Sequence, residues 1–292
     1  DQTLGNNFEQ SNPFNRTFMQ ANVRYKRRFG DLHNTTGMLL YNQSKQSVYD
    51  GNRAQVDIRY LGLTGQFTYN YDEKYLAEFN FGYNGSENFA RGKRFGFFPA
   101  AALGWVVSKE SFMENTQDWL NFLKIRGSFG LVGNDKLRGN RFLYLALYQG
   151  GDAYRFGQNN FENEGGGTRE RRLANADITW ETSRKTNIGF DLGVLNNKLN
   201  FAVDLFEDSR YDIITELGGD QIGFPDIVGK PSPILNLGRV RNRGIDFEIS
   251  YANHIGDNFS FFVKPNFTFV RNKLIYWQEV PRANEHRQST GK

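Results

Sequence analysis

Apolar and polar residues alternate one by one through long stretches of this chain. The stretch Leu199–Leu205 has an apolar residue at every second position, and Ile188–Val194 before it follows the same pattern. Because successive side chains of a β-strand point to opposite faces, a period of two predicts strands with one apolar and one polar face. Leu195–Lys198 joins the two stretches and contains two asparagines, which tolerate the left-handed backbone of tight turns. The pattern predicts a β-hairpin.

The same alternation recurs along the chain and predicts about ten strands. The other alternating stretches are Thr17–Phe29, His33–Gln43, Leu61–Tyr71, Tyr75–Asn84, Phe97–Val107, Phe122–Leu131, Ile245–Tyr251 and Phe259–Phe269. Most approach or exceed the ~9–11 residues that a tilted strand needs to cross a bilayer.

Short and long connections alternate between these predicted strands. The short ones follow Phe29, Tyr71, Leu195, His254 and Val107, the last of which leads into Ser108–Asn121 with a predicted helical turn. The long ones are Ser44–Gln55, Gly85–Phe95, Val132–Asp177 and Tyr211–Leu237. In an antiparallel meander this puts all short turns at one end, as in outer-membrane barrels with short periplasmic turns and long extracellular loops. The predicted fold class is therefore an all-β, antiparallel transmembrane β-barrel.

Aromatic residues near the short turns agree with that interpretation. Tyr71, Tyr75, Trp105, Phe122 and Phe259 lie near this end of the predicted strands. Transmembrane barrels carry aromatic girdles at the membrane boundaries, although aromatics are common in any strand.

Composition changes the picture in three ways. The mean hydropathy of -0.63 suits a soluble protein, but a barrel with a polar lumen and polar loops has the same average. The absence of cysteine excludes disulfide frameworks, thiolate metal sites and cysteine nucleophiles. The net charge of +4 comes from basic residues interspersed with acidic ones, whereas a nucleic-acid-binding protein concentrates its basic residues in a patch or stripe. We expect no nucleic-acid partner.

Residues with catalytic or metal-binding chemistry are present but not in the spacing that chemistry needs. His33, His254 and His286 are too scattered to predict a metal site. Asp246 and Glu248 lie on the polar face of one predicted strand, and paired carboxylates can hydrolyse glycosides. Polar lining balanced by nearby Lys and Arg is the simpler interpretation. The sequence predicts no catalytic residue, no cofactor and no metal, hence no enzyme.

The longest predicted loop holds the candidate binding residues. Tyr148, Tyr154, Phe156 and Phe161 lie in it among Gly, Asn and Gln. Aromatic faces stack on sugar rings while amides bond hydroxyls, so these four are candidate contacts for a substrate or partner. Packing of the loop onto itself is an equal alternative.

Two basic clusters lie in predicted loops. They are Arg91–Arg94 and Arg169–Arg172. They favour solvated loops over contacts with lipopolysaccharide phosphates.

Four motifs, in order along the chain, resemble the SusC/RagA-type TonB-dependent transporters. They are Arg94–Trp105 with Ser111–Met113; Leu123–Gly130 with Gly133 and Asn134; Trp180–Thr182 with Asn187, Gly189, Asp191 and Asp204; and Asn236–Gly238 with Val240, Asn242 and Gly244. The resemblance covers roughly Phe95–Phe269.

The resemblance implies TonB-dependent import of an oligosaccharide or peptide across the bacterial outer membrane. It implies a SusD-like lipoprotein partner, and TonB acting through an N-terminal region outside this sequence. Such barrels have about 22 strands, so residues 1–292 are expected to form part of the barrel domain, without plug, signal peptide or closing strand. The alternatives are a small outer-membrane β-barrel enzyme and a soluble β-rich carbohydrate-binding or adhesin module.

Overall fold

Antiparallel strands dominate the computed structural model, which describes residues 14–50, 53–54, 57–137, 140–153, 166–216, 229–256 and 258–292. The strands are β1 Phe14–Phe29, β2 His33–Asp50, β3 Arg53–Ala54, β4 Ile58–Tyr71, β5 Tyr75–Ser86, β6 Phe95–Val106, β7 Leu120–Asn134, β8 Leu147–Ala153, β9 Gly166–Arg172, β10 Glu181–Val194, β11 Leu199–Glu216, β12 Ile234–Ile255, β13 Phe259–Val263 and β14 Asn266–Tyr276. Short 3-10 helices cover Val107–Lys109, Ser111–Thr116 and Glu285–Arg287. None of the helices among the described residues is long and apolar enough to cross a bilayer.

One sheet contains all strands except the separate hairpin of β8 and β9. Its order is β1-β2-β4-β5-β6-β7-β10-β11-β12-β13, with β3 added to β2 and β14 also paired with β12. Since β13 and β14 pair with successive parts of β12, they occupy one strand position. The path therefore has ten positions, which confirms the predicted number. Among the described residues β1 does not pair with β13 or β14, so the sheet is not closed.

Several predicted boundaries are wrong, for two physical reasons. The predicted strand Phe259–Phe269 is broken between β13 and β14 at Lys264 and Pro265, because proline has no backbone N–H to donate to the ladder. Elsewhere the strands continue into predicted loops: β2 takes up the first part of Ser44–Gln55. Both faces are polar there, so the alternation that marks a strand is lost.

Tight turns form the short-turn end of the sheet, as predicted. Asp72 and Glu73 have φ angles of 50° and 53° in one turn, while three consecutive residues, Leu195–Asn197, are left-handed in another. Left-handed residues match the right-handed twist of the strands that they join. The turns alternate with long connections, so the two kinds lie at opposite ends.

The sheet has one apolar and one polar face. The apolar face is uncovered: Phe67, Leu103 and Phe269 are 50%, 69% and 53% exposed. On the polar face the Gln66 amide donates to Glu78 at 2.9 Å. The predicted alternation is confirmed on every strand position that carries it.

At the short-turn end, aromatic side chains on the apolar face are tied to the turn after β6. The Tyr75 hydroxyl and the Trp105 indole N–H donate to the Glu110 carboxylate at 2.6 and 3.0 Å. The hydrogen bond from Tyr75, followed by that from Trp105, lowers the pKa of Glu110. Phe122 was predicted in this group but faces the other way, because it pairs with Gly193 of the polar face.

The rows of paired residues are inclined to the line that joins the short turns, and the register gives the angle by which the strands tilt from the barrel axis. The row through Tyr71 and Tyr75 at one turn passes through Phe247 on β12, eight residues before the third short turn further along begins after Ile255. That is ~27 Å along the strand against ~29 Å across six strand spacings. The corresponding tilt is about 43°, within the range of closed barrels.

Candidate functional site

The long connections pack against one another at the end of the sheet opposite the short turns. Buried apolar side chains from two connections and three strands form their core: Phe89, Leu137, Leu143, Ile178, Trp180, Ile214 and Ile234, with Phe98 packed against them. The Phe89 and Trp180 rings lie 5.1 Å apart and the Phe98 ring meets Trp180 edge-on at 5.3 Å. We call this cluster the loop core. Its residues are far apart in sequence, so no periodic pattern predicts it.

A glycine on β7 lets the loop core reach the sheet. A Cβ added at Gly133 would lie 1.9 Å from the Phe98 ring. Since real Cβ atoms never approach so closely, any other residue at this position displaces Phe98 from Trp180. This explains physically why Gly133 is part of the second motif.

Polar side chains fasten the same connections to the ends of the strands. The Asn236 amide donates to the carbonyls of Thr179 and Asp212 at 3.0 and 2.7 Å and accepts from the Thr179 N–H at 3.0 Å. Glu181 accepts from the Ile214 N–H and from the Asn134 amide, both at 2.9 Å. Buried backbone groups in irregular segments need such partners. Residues of the third and fourth motifs thus form hydrogen bonds to backbone groups that have no partner in a β-ladder.

The candidate binding residues are only partly described. Tyr148 lies on β8, in the hairpin that β8 forms with β9, and is 62% exposed. Tyr154, Phe156 and Phe161 fall outside the described residues. The hairpin itself was missed, because its strands are short and rich in glycine and charge. The role of Tyr148 in contacting a substrate or partner stays a prediction.

Basic residues of both predicted loop clusters have partners within the protein, namely Lys93 and Arg94 of the first and Arg172 of the second. Lys93 bonds Asp177 at 2.7 Å and lowers the pKa of that carboxyl. Arg172 donates to the backbone carbonyls of Arg141 and Phe142 at 3.1 and 3.3 Å, and burial lowers its pKa. Through these contacts the two clusters link loop segments that are distant in sequence.

An arginine bridges three strands on the polar face. Arg126 on β7 makes a two-pronged bond to Asp204 on β11, with both distances 2.7 Å, and its Nε lies 3.2 Å from Asp191 on β10. The guanidinium crosses Gly189, where a Cβ would lie 2.5 Å from its central carbon. Planar, bidentate pairing is the strongest geometry between arginine and carboxylate. We call this group the Arg126 bridge.

Of the two carboxylates singled out on β12, one has a cationic partner and the other lies beside the Arg126 bridge. Glu248 pairs with Lys264 at 2.8 Å, and Asp246 lies opposite Asp204 in the register. Of the histidines, His33 shares a 2.8 Å hydrogen bond with the Tyr69 hydroxyl. The arrangement is that of a polar, partly ion-paired wall.

The family follows from comparison with known sequences. The family model described as TonB dependent receptor-like, beta-barrel, matches residues 1–289. The chain belongs to this family. The match confirms the resemblance that the four motifs indicate and the predicted fold class.

Curated relatives of this TonB-dependent receptor chain come from two bacteria. It is 29% identical over 213 residues, 73% of the chain, to TonB-dependent receptor P39 of Formosa agariphila. It is 27% identical over 213 residues, 72% of the chain, to TonB-dependent receptor SusC of Bacteroides thetaiotaomicron. The chain spans only 19% and 20% of the length of these two relatives.

Solved structures share the fold of this TonB-dependent receptor chain. The RagAB peptide importer in its closed-closed state superposes with a TM-score of 0.72 at 18% identity, over 89% of this chain and 30% of that chain. The siderophore receptor PirA from Pseudomonas aeruginosa superposes with a TM-score of 0.54 at 11% identity, over 90% of this chain and 44% of that chain. At these identities the likeness concerns the fold alone.

Proposed function

We propose that this chain is part of the barrel wall of an outer-membrane importer that takes up an oligosaccharide or peptide with energy delivered by TonB. The observation that carries the proposal is a sheet with one uncovered apolar face and one polar, ion-paired face, combined with family membership. In water such an apolar face would associate, whereas in lipid it is solvated. The polar face then lines the transport lumen.

The two ends of the sheet give the orientation. Tight turns, at which Glu110 binds the Tyr75 hydroxyl and the Trp105 indole, suit the periplasmic side. The loop core suits the extracellular side, where it would hold Tyr148 and its neighbouring loop toward a substrate or toward a SusD-like lipoprotein. We take the lipoprotein partner from the resemblance, and RagAB, a peptide importer, shares the fold.

No step of covalent chemistry is assigned to this chain. Its polar face offers hydrogen-bond donors, acceptors and balanced charges, which suit the passage of polar solutes rather than their cleavage. The substrate is moved, and the energy for moving it comes from outside the barrel wall.

Uptake measurements in cells test the proposal. Cells with and without the whole protein are supplied with labelled oligosaccharides and labelled peptides, with and without a protonophore that removes the energy source of TonB. We expect one substrate class to enter only when the protein is present and the membrane is energised. Energy-independent cleavage of substrate by the purified protein would favour the enzyme alternative, and purification without detergent would favour the soluble module.

A further inference from the structure

The apolar face ends abruptly on one side of the sheet. Ile188, Leu205, Ile245 and Phe269 lie side by side in one register row across β10, β11, β12 and β14. Every residue in this row is apolar. On the same face, the next two rows toward the long connections consist of charged and polar residues.

Those two rows carry five cations and one carboxylate. The first row is Thr186, Glu207, Arg243 and Arg271, and the second is Arg184, Ser209, Arg241 and Lys273. We call Arg184, Arg241, Arg243, Arg271 and Lys273 the basic block. Because the rows are inclined to the membrane at the tilt derived above, on β4 to β7 they pass closer to the short turns, through apolar residues such as Phe67, Phe79 and Phe129.

The register sets like charges against each other within the block. Arg243 lies directly opposite Arg271, and Arg241 directly opposite Lys273. Directly opposed like charges on adjacent strands destabilise a sheet. Glu207 offsets part of this, with its carboxylate 2.5 Å from Arg243. Among the described residues Arg241, Arg271 and Lys273 have no ion-pair partner.

The height of the block matches a membrane boundary. Arg243 is twelve residues from Ile255, where β12 reaches the short turn, which is ~40 Å along a strand and ~29 Å along the membrane normal at the tilt derived above. The apolar band of an outer-membrane barrel is ~25 Å tall. The block thus lies just beyond the apolar band, on the side of the long connections.

We propose that the basic block binds the phosphate groups of a phosphorylated glycolipid in the outer leaflet, whose acyl chains lie on the apolar row beneath. This rests on the proposed function, since it needs the chain in an outer membrane. A groove of about 480 Å³ joins the two parts, with Ile245 and Phe269 on its apolar side and Arg241, Arg243, Arg271 and Lys273 on its basic side. Arginine binds phosphate by charge-assisted, two-pronged hydrogen bonds. The apolar side favours a lipid over free phosphate.

Binding to the purified whole protein in detergent tests the proposal. Native mass spectrometry measures the occupancy of lipid A, of the same lipid after removal of its phosphates, and of inorganic phosphate. We expect binding of the phosphorylated lipid only. The double variant Arg271→Gln, Lys273→Gln should weaken it at least about tenfold, which is ~1.4 kcal/mol. Arg24→Gln, Lys26→Gln, the same charge change on the polar face of β1, should leave it unchanged.

The outcomes separate the proposal from its rivals. Equal binding of the dephosphorylated lipid, equal loss in both double variants, or displacement by inorganic phosphate would overturn it. So would charge-dependent capture of an acidic protein in place of lipid. The single variant Lys273→Gln replaces the double one if the latter fails to assemble, and should weaken binding by a smaller factor. Membrane fractionation is run alongside: a protein found outside the outer membrane refutes the proposed function, whereas one found there without bound lipid refutes the basic block alone.

Discussion

Replacing Arg126 with methionine should destabilise the barrel wall, because the substitution removes the guanidinium that bonds both Asp191 and Asp204. The side chains involved are 33%, 26% and 21% exposed, so the bridge is neither buried nor fully solvated. Removing one partner of a buried pair costs ~3–5 kcal/mol and of an exposed pair ~0–1 kcal/mol. We expect Arg126→Met to lower the free energy of unfolding by about 2 kcal/mol, between these limits.

A rescue variant tests the cause. If repulsion between the two carboxylates dominates, then Arg126→Met combined with Asp191→Asn and Asp204→Asn should recover more than half of the lost stability, because no charge is left unpaired. Arg24→Met is the matched control: it removes an arginine from the same face that has no ion pair among the described residues. It should change stability by less than ~0.5 kcal/mol.

The assay is urea unfolding of the whole protein in detergent, followed by the loss of its heat-modifiable gel mobility. The reasoning is refuted if Arg126→Met is as stable as Arg24→Met, or if the triple variant is less stable than Arg126→Met alone. The second outcome would mean that hydrogen bonds to the aspartates, and not their charge, stabilise the three strands.

Three further predictions address facing, the short-turn end and the loops. Phe201→Arg should impair assembly by placing a cation on the lipid face, at ~2–4 kcal/mol, while Asn200→Arg on the polar face should assemble, with heat-modifiable mobility as the readout; equal damage would contradict the face assignment. Because the hydrogen bond from Tyr75 lowers the pKa of Glu110, its stabilisation is present above the ordinary carboxyl pKa and lost as pH falls through the lowered value. Glu110→Gln should therefore be less stable than wild type at about pH 6, and the difference should shrink as the pH falls below the ordinary carboxyl pKa; a constant difference in unfolding midpoint would refute this. Deleting Gly150–Gly167 should leave assembly intact, since it removes no strand of the main sheet, but should lower nutrient uptake or lipoprotein co-purification; unchanged values of both at normal surface levels would show that the loop is dispensable.

The sequence predicts the two faces well because a strand with one apolar and one polar face has a period of two. It predicts the strand ends poorly for the same reason. Beyond the apolar band both faces are polar, and Arg239–Arg243 on β12 shows no alternation although it is paired throughout. The break at Pro265 could have been found from the sequence, since proline inside an alternating stretch signals an interrupted ladder.

The loop core could not be predicted by pattern at all. Phe89, Ile178 and Ile234 are brought together by chain reversals at distant points, and a periodicity within one segment carries no information about such contacts. The Arg126 bridge could be predicted in part from the sequence. Alternation places Arg126, Asp191 and Asp204 on the polar face, but only the register places them in reach of one another.

The motif residues and the alternating residues therefore answer to different constraints. A position such as Phe201 on the apolar face needs only an apolar side chain to keep the alternation of the strand. Asn236 must supply two donors and an acceptor to three backbone groups, and Gly133 must lack a side chain to admit Phe98. Glycine alone lacks a Cβ, and asparagine supplies both donors and the acceptor on a short side chain. Gly133 and Asn236 both lie near the ends of strands that border the loop core, so their side-chain requirements come from the packing of the long connections against the sheet.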